Sequence, residues 1–317
     1  MKEGKLVKKI ETVSLIGLGA VGAAYGSKLH DMLKDSFQVV ASKERIQRYE
    51  NTGIIVNGQD YRFHYITPET KREPVDLVIF AVKNADLSQA IQDVQHHIGP
   101  DTIILSLLNG ISSEGEIESA CENHPILYSV CVEIDAVRRQ NETSFSTLGW
   151  IEYGEKDNSK SENVLAVQEL FERAGIPYKI SEDILHSMWW KFMVNVGINQ
   201  TSAVLKAPYK IFQSVPSAYE WAESTMREVV ALSQKVGANL TEEDVKSFRP
   251  ILHNLSPNGK TSMLQDIEAG RKTEVDYLGG TVIELGKKYG VPTPINEQLY
   301  KIIHIMEDMT AYSPLNQ

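Results

Sequence analysis

The stretch Thr12-Val-Ser-Leu-Ile16-Gly17-Leu18-Gly19-Ala20-Val21-Gly22 decides the fold of this chain. Its first five residues are an apolar run of strand character, and they lead into three glycines spaced G-x-G-x-x-G at the start of a helical pattern. That context lifts the motif above chance, because each glycine then has its own task. Gly17 permits the tight turn, Gly19 lets the backbone approach a pyrophosphate, and Gly22 lets the helix pack closely on the strand. The N–H groups from Leu18 through Ala20 and Val21 to Gly22 are presented to the anion. The motif predicts a dinucleotide site.

Working outward, three more apolar runs appear, at Phe37–Ala41, Asp76–Val82 and Thr102–Leu108. Strands apolar throughout fit a parallel sheet covered on both faces. Their alternation with helical segments predicts an α/β, doubly wound Rossmann-type domain. Residues 126–154 change to strands with a turn around Gln140-Asn141, read as antiparallel additions to the sheet edge. From about Glu182 the pattern is almost entirely helical. Val215–Val236 closes on Gly237, Asn296–Met309 is amphipathic, and Val291-Pro-Thr-Pro294 breaks the chain between the last two helices. The expected organisation is a dinucleotide-binding domain over residues 1–181 and an all-α substrate-binding and dimerisation domain over 182–317.

With 317 residues, 42% hydrophobic and 23% charged, the chain can bury two cores. Its net charge of -10 argues against a general nucleic-acid binder, which needs a basic surface. It leaves room for a small anionic ligand held by local positive groups. Cys121 and Cys131 are too few for a disulfide framework or a zinc site, so a reducing cytoplasm is expected. The charged opening MKEGKLVKKIE lacks an apolar signal core, and no run approaches a membrane span. The eight histidines show no metal spacing, so no metal is expected. His96-His97 reads as an exposed helix end, His186 as a surface residue, and Trp189 and Trp190 as core anchors.

In a doubly wound sheet the end of the second strand reads the adenosine ribose. A carboxylate there favours NAD, and a basic residue favours the 2′-phosphate of NADP. Ser42-Lys43-Glu44-Arg45 carries both signs, but Ser42 and Lys43 come first, so NADPH is favoured with Lys43 toward the phosphate. Lys83 and Asn109 each come after a buried strand, at its carboxyl end, where ligands of open α/β sheets bind.

In the second half, Lys191, Asn195 and Asn199 recur at i, i+4 and i+8 within a mostly apolar helical stretch. Each four-residue step turns about 40° past a full revolution, so the three share one face. Burying an ammonium and two amides among Trp, Met and Val is costly unless a polar partner meets them.

Further along stands Ser262-Met-Leu-Gln-Asp-Ile-Glu-Ala-Gly-Arg-Lys-Thr-Glu274-Val-Asp276. With GLGAVG, FAVKNAD, LLNG, WKFMVNVGINQ and KKYGVPTP, it gives a chain that resembles the ketopantoate reductase family nearly end to end. The resemblance implies a dimeric enzyme that uses NADPH to reduce 2-dehydropantoate to pantoate, on the route to pantothenate and coenzyme A. It implies a Rossmann-type domain followed by a helical one. Matched by motif, it makes Lys191 the catalytic lysine and Glu274 its paired glutamate. Asn109, Asn195, Asn199 and Ser262 become substrate-binding residues, and Lys83 the cofactor-side lysine.

Departures from the pattern are Leu107-Leu108 before Asn109, Thr261, Gly279-Gly280, and Ser42 where an arginine often reads the 2′-phosphate. The last leaves NADP preference resting on Lys43. Two other readings stay open: a reductase of another 2-oxo acid, and a dinucleotide-binding sensor without turnover.

Reduction of a 2-oxo acid develops negative charge on the carbonyl oxygen, which a positioned ammonium can stabilise and protonate. That role falls to Lys191. Glu274 either keeps the lysine charged and oriented or bonds the nascent hydroxyl. Asn195, Asn199 and Ser262 suit the substrate carboxylate and hydroxyl, and Asn109 suits a bridge between substrate and nicotinamide. These roles impose a geometric condition. A straight helix would hold Ser262 and Glu274 about 18 Å apart and about 120° out of phase. The segment must therefore bend, near Gly270 for example, or Ser262 must precede the helix.

Overall fold

The computed structural model describes residues 8–311; residues 1–7 of the charged opening lie outside them. The chain divides into two compact units, residues 1–187 and 188–317. The division falls within the first turn of a long helix, where the sequence reading puts it near Ser181, just ahead of that helix.

In the first unit the elements run β1 (Val13–Ile16), α1 (Ala20–Leu33), β2 (Phe37–Val40), α2 (Lys43–Thr52), β3 (Ile54–Val56), β4 (Gln59–Tyr61) and β5 (His64–Ile66). Next come β6 (Leu77–Phe80), α3 (Leu87–Asp93), β7 (Ile103–Ser106), α4 (Ser113–Ala120) and β8 (Ile126–Val132). The last are β9 (Val137–Arg139), β10 (Glu142–Ser144), β11 (Trp150–Gly154), α5 (Glu162–Ala174) and β12 (Tyr178–Ile180). Eight strands form the main sheet in the order β12-β11-β8-β7-β6-β1-β2-β5. Every pair in it is parallel except β8 with β11.

All four residues of β1, β2, β6 and β7 are buried, as continuous apolar runs require of a sheet covered on both sides. The two-residue period of a strand sorts them between two cores. Leu15, Val39, Ile79 and Leu105 face one, with Ala23 and Leu29 of α1 and Val167 and Phe171 of α5. Ile16, Val40, Phe80 and Ile104 face the other, with Leu87 and Ile91 of α3 and Ile117 of α4. Where polar side chains enter this interior they pair: Gln38 Nε2 donates to Ser14 Oγ at 2.7 Å.

The structure corrects two expectations. The strands of residues 126–154 are not all antiparallel edge additions. β8 extends the parallel sheet beside β7, and only β11 returns antiparallel. The hairpin around Gln140-Asn141 does form, but β9 and β10 join a separate four-stranded sheet ordered β4-β3-β10-β9. Nor is His97 exposed. Its main chain is tied to Val94 and Val75, its side chain is 0% exposed, and burial pushes its pKa below the ordinary histidine value.

The second unit is helical: α6 (Ile184–Leu205), which begins in the first unit, α7 (Tyr209–Ser214), α8 (Pro216–Val236), α9 (Glu242–Asn254), α10 (Ser262–Glu268), α11 (Gly279–Tyr289) and α12 (Pro294–Ala311). α8 ends at Gly237 as expected, and the proline-rich break separates α11 from α12. Glu228 on α8 closes that break. It accepts from Ile295 N at 2.8 Å and from Asn296 N at 3.0 Å. A carboxylate on the orphan donors of a helix start also complements the helix dipole. Asn296 Oδ1 then accepts from buried Gln200 of α6 at 2.9 Å, so three helices share one polar joint. Trp189 is buried with its ring edge-on to Phe192.

Candidate active site

In the first unit the glycine motif folds as its spacing requires. Gly17 has φ of +100°, and a Cβ there would lie 2.5 Å from the carbonyl oxygen of Ala81. A Cβ on Gly22 would lie 2.0 Å from the carbonyl oxygen of Gly17. Gly19, just ahead of α1, differs: the nearest atom to its added Cβ is 3.9 Å away. The protein itself leaves room at Gly19, so the backbone there is open to a group approaching from outside. This is the cradle a pyrophosphate needs, and the residues present fit a dinucleotide.

Beside this loop opens a cleft of about 160 Å³, walled by Gly17, Leu18, Ala41, Ser42, Arg45 and Asp86 among others. Lys43 and Lys83 are exposed and are not in its lining. Ser42 instead caps α2, accepting from Arg45 N at 3.3 Å. Sequence reading missed Arg138. From β9 its Nη1 donates to the Leu18 carbonyl and its Nε to the Gln140 carbonyl at 3.0 Å, so the small sheet holds the glycine loop. Only the basic character of Val137-Arg-Arg139 hinted at it.

Asn109 is exposed, on the turn that leaves β7. Asn84, buried just beyond Lys83, donates to the Asn109 carbonyl at 3.0 Å, which ties two strand ends together. Behind the turn, Ser106 Oγ meets Ser113 Oγ at 2.8 Å, and Ser113 Oγ donates to Glu114 Oε2 at 2.9 Å. Glu114 is 1% exposed, and burial pushes its pKa up to about 7.

A raised carboxyl pKa fixes the sign of the pH dependence. Between about pH 4.5 and 7 folded Glu114 holds a proton that the unfolded chain has released, so stability falls as pH rises through that window. The full loss is on the order of 3 kcal/mol. Glu114→Gln should therefore melt higher than the parent at pH 8 and nearly level with it at pH 5. A difference independent of pH in thermal denaturation would show that Glu114 does not titrate in this way.

In the second unit α6 runs unbroken through Lys191, Asn195 and Asn199, so the three do share a face. Lys191 is half-buried, while Asn195 and Asn199 are each 7% exposed. Ser262 is exposed at the first position of α10, after Thr261, whose Oγ1 accepts from Leu264 N at 3.2 Å.

α10 then stops. Gly270 takes φ of +62°, Gly270 N bonds to Ile267 O at 3.1 Å, and Arg271 N bonds to Asp266 O at 2.9 Å. These two bonds are the six-to-one and five-to-two pair that ends helices on a left-handed residue. The straight helix that would keep Ser262 and Glu274 apart therefore ends at Glu268, and the bend near Gly270 is realised.

Half-buried Glu274 lies in a segment moored to α12 on both sides. Thr273 N and Oγ1 donate to Glu307 Oε1 at 2.8 and 2.6 Å. Tyr300 OH donates to Asp276 Oδ1 at 2.8 Å, and His304 Nε2 lies 3.0 Å from the same oxygen. Burial pushes the Asp276 carboxyl up, but the bonds from Tyr300 and His304 and the charge of Lys272 outweigh it and hold its pKa below the usual range. Among the described residues no helix is long and apolar enough to cross a membrane, and no three His, Cys, Asp or Glu side chains gather as a metal site.

A largely parallel sheet with a glycine cradle, followed by a helical unit with a lysine–asparagine face, has the architecture of the dinucleotide-binding class. Residues 13–158 match the family described as ketopantoate reductase PanE/ApbA, and residues 183–307 match its C-terminal counterpart. The chain belongs to the ketopantoate reductase family. It is 25% identical over 299 residues to the 2-dehydropantoate 2-reductase of Streptococcus pyogenes, spanning 93% of this chain and 97% of the relative. Its fold is similar to that of D-mandelate dehydrogenase in a ternary structure with NADH and anilino(oxo)acetate, at a TM-score of 0.84, 24% identity, and 95% and 99% coverage. It is similar also to the dimeric ketopantoate reductase from Staphylococcus aureus, at a TM-score of 0.79, 19% identity, and 94% and 99% coverage.

Proposed function

We propose that this protein reduces the ketone of 2-dehydropantoate to pantoate with NADPH, in the cytoplasmic route to pantothenate and coenzyme A. The observation that carries the reading is the polar stripe Lys191, Asn195 and Asn199 on the otherwise apolar stretch from Met188 to Asn199 of α6. The cofactor supplies a hydride when bound. The Lys191 ammonium stabilises the oxygen that becomes negative and gives it a proton. Asn195, Asn199 and Ser262 orient the substrate carboxylate and hydroxyl, Asn109 bridges substrate and nicotinamide, and Glu274 keeps Lys191 charged or bonds the new hydroxyl. Gly17 to Gly22 hold the pyrophosphate. A homodimer is part of the reading: α12 leaves Ile302, Ile305 and Met309 exposed along one stripe, and the S. aureus relative is dimeric.

A second reading, reduction of another 2-oxo acid, draws on the likeness to D-mandelate dehydrogenase. Steady-state assays across 2-oxo acids, phenylglyoxylate included, decide between them. A preference for 2-dehydropantoate of roughly a hundredfold or more in kcat/KM is expected, since a site built to bond a substrate hydroxyl rejects analogues that lack it. Comparable rates across the panel would defeat the first reading.

A further inference from the structure

We propose that Arg45 and Asp86, rather than Lys43, decide which nicotinamide dinucleotide this protein takes. Arg45 receives the 2′-phosphate of NADPH, and Asp86, by accepting from a 2′-hydroxyl, leaves NADH a usable second cofactor. This rests on the dinucleotide reading above and assigns its selectivity to two residues.

The geometry comes from α2. Ser42, Arg45 and Tyr49 stand at i, i+3 and i+7, on one side of the helix, and all three line the cleft next to the glycine loop. Lys43 lies about 100° from Ser42 around the helix and is exposed, outside the lining. Facing Arg45 is Asp86, from the segment after β6, with Nη2 and Oδ2 4.0 Å apart. That separation is too long for a hydrogen bond, and at 49% and 54% exposure the attraction is screened. The planar fork of Arg45 is therefore open to an entering phosphate, which it matches with two parallel bonds.

Asp86 works the other way. A phosphate monoester brings close to two negative charges at neutral pH, so a carboxylate beside it weakens what Arg45 gains. A hydroxyl brings no charge and donates to a carboxylate. Doubly wound folds that take NAD usually supply that carboxylate from the end of the second strand, and here Asp86 presents one from the segment after β6, facing Arg45 of α2. The other carboxylate of the lining, Asp93, already accepts from Gln89 Nε2 at 2.8 Å. Asp86 has only the distant Arg45 as a side-chain partner among the described residues. One wall thus carries a group for each cofactor, and the expected selectivity is modest.

Calorimetric titration of the full-length protein with adenosine 2′,5′-bisphosphate and with adenosine 5′-monophosphate tests this without turnover. Arg45→Ala should weaken the bisphosphate roughly tenfold or more, the scale of a lost charge-assisted pair, and change the monophosphate less than about threefold. Asp86→Asn should tighten the bisphosphate about threefold or more, with kcat/KM for NADH falling relative to NADPH. Both positions are more than half or nearly half exposed, so both variants are expected to fold. Equal effects of Arg45→Ala on the two nucleotides, or a selective loss in Lys43→Ala instead, would overturn the assignment while leaving the dinucleotide reading intact. Failure of the parent protein to bind either nucleotide or NADPH would overturn both.

Discussion

Replacing Lys191 by alanine is expected to lower kcat roughly a hundredfold or more, the scale set by removing one donor to a developing oxyanion, while NADPH affinity changes less than about threefold. The reasoning is differential. An ammonium that meets charge appearing on the ketone oxygen acts on the transition state and hardly on the bound cofactor. α6 supplies the setting, because a half-buried lysine among buried apolar neighbours loses hydration and interacts more strongly with a nearby charge than it would in water. Lys191→Arg should not rescue the rate, since a guanidinium does not give up a proton near neutral pH. Single-turnover reduction with NADPH, beside a binding titration, separates the two effects. Unchanged turnover would remove the lysine from the chemistry. A parallel loss of NADPH binding would make it a structural residue.

The second large effect lies in the glycine loop, where Gly22 and Gly19 should fail for different reasons. A methyl group on Gly22 would sit 2.0 Å from a backbone oxygen that cannot swing aside, so the strand–helix turn must distort. Gly22→Ala is expected to cost about 3 kcal/mol, the upper range for overpacking, or roughly 6–12 °C in Tm for a unit of this size. Gly19→Ala has its nearest neighbour at 3.9 Å and should melt within about 2 °C of the parent. It should nonetheless lose dinucleotide affinity roughly tenfold or more, because its methyl occupies the space through which backbone meets pyrophosphate. A Gly19→Ala protein that binds NADPH normally would contradict the cradle.

The parts legible in the sequence are those carried by local chemistry. β1, β2, β6 and β7 read directly because strands buried on both faces cannot hold a polar residue except in pairs such as Ser14 with Gln38. The i, i+4, i+8 stripe of Lys191, Asn195 and Asn199 reads for the same reason, as polarity where none is needed for packing. Asn57-Gly58 is a local hairpin signal of the same kind. Both residues take positive φ, and the turn joins β3 to β4.

Other features depend on tertiary placement. Glu114 looks like any acidic residue of a short surface helix, and only the serines beneath the Asn109 turn reveal its burial. The order Ser42-Lys43-Glu44-Arg45 favours the first basic residue, whereas helical phase brings the second one round to the cleft. β8 reads together with the strands around the Gln140-Asn141 turn as an antiparallel addition to the sheet edge. A strand's direction is set by its crossover, however, and α4 returns the chain for a parallel pair.

The bond from Arg138 to the Leu18 carbonyl changes when a cost is met. A mobile glycine loop must be immobilised by its ligand, and that entropy is subtracted from affinity. Here a hairpin remote in sequence does the immobilising while the polypeptide folds, so a dinucleotide would meet a seat already set. Loosening the far end of that hairpin should therefore weaken ligand binding without altering a single atom of the loop itself.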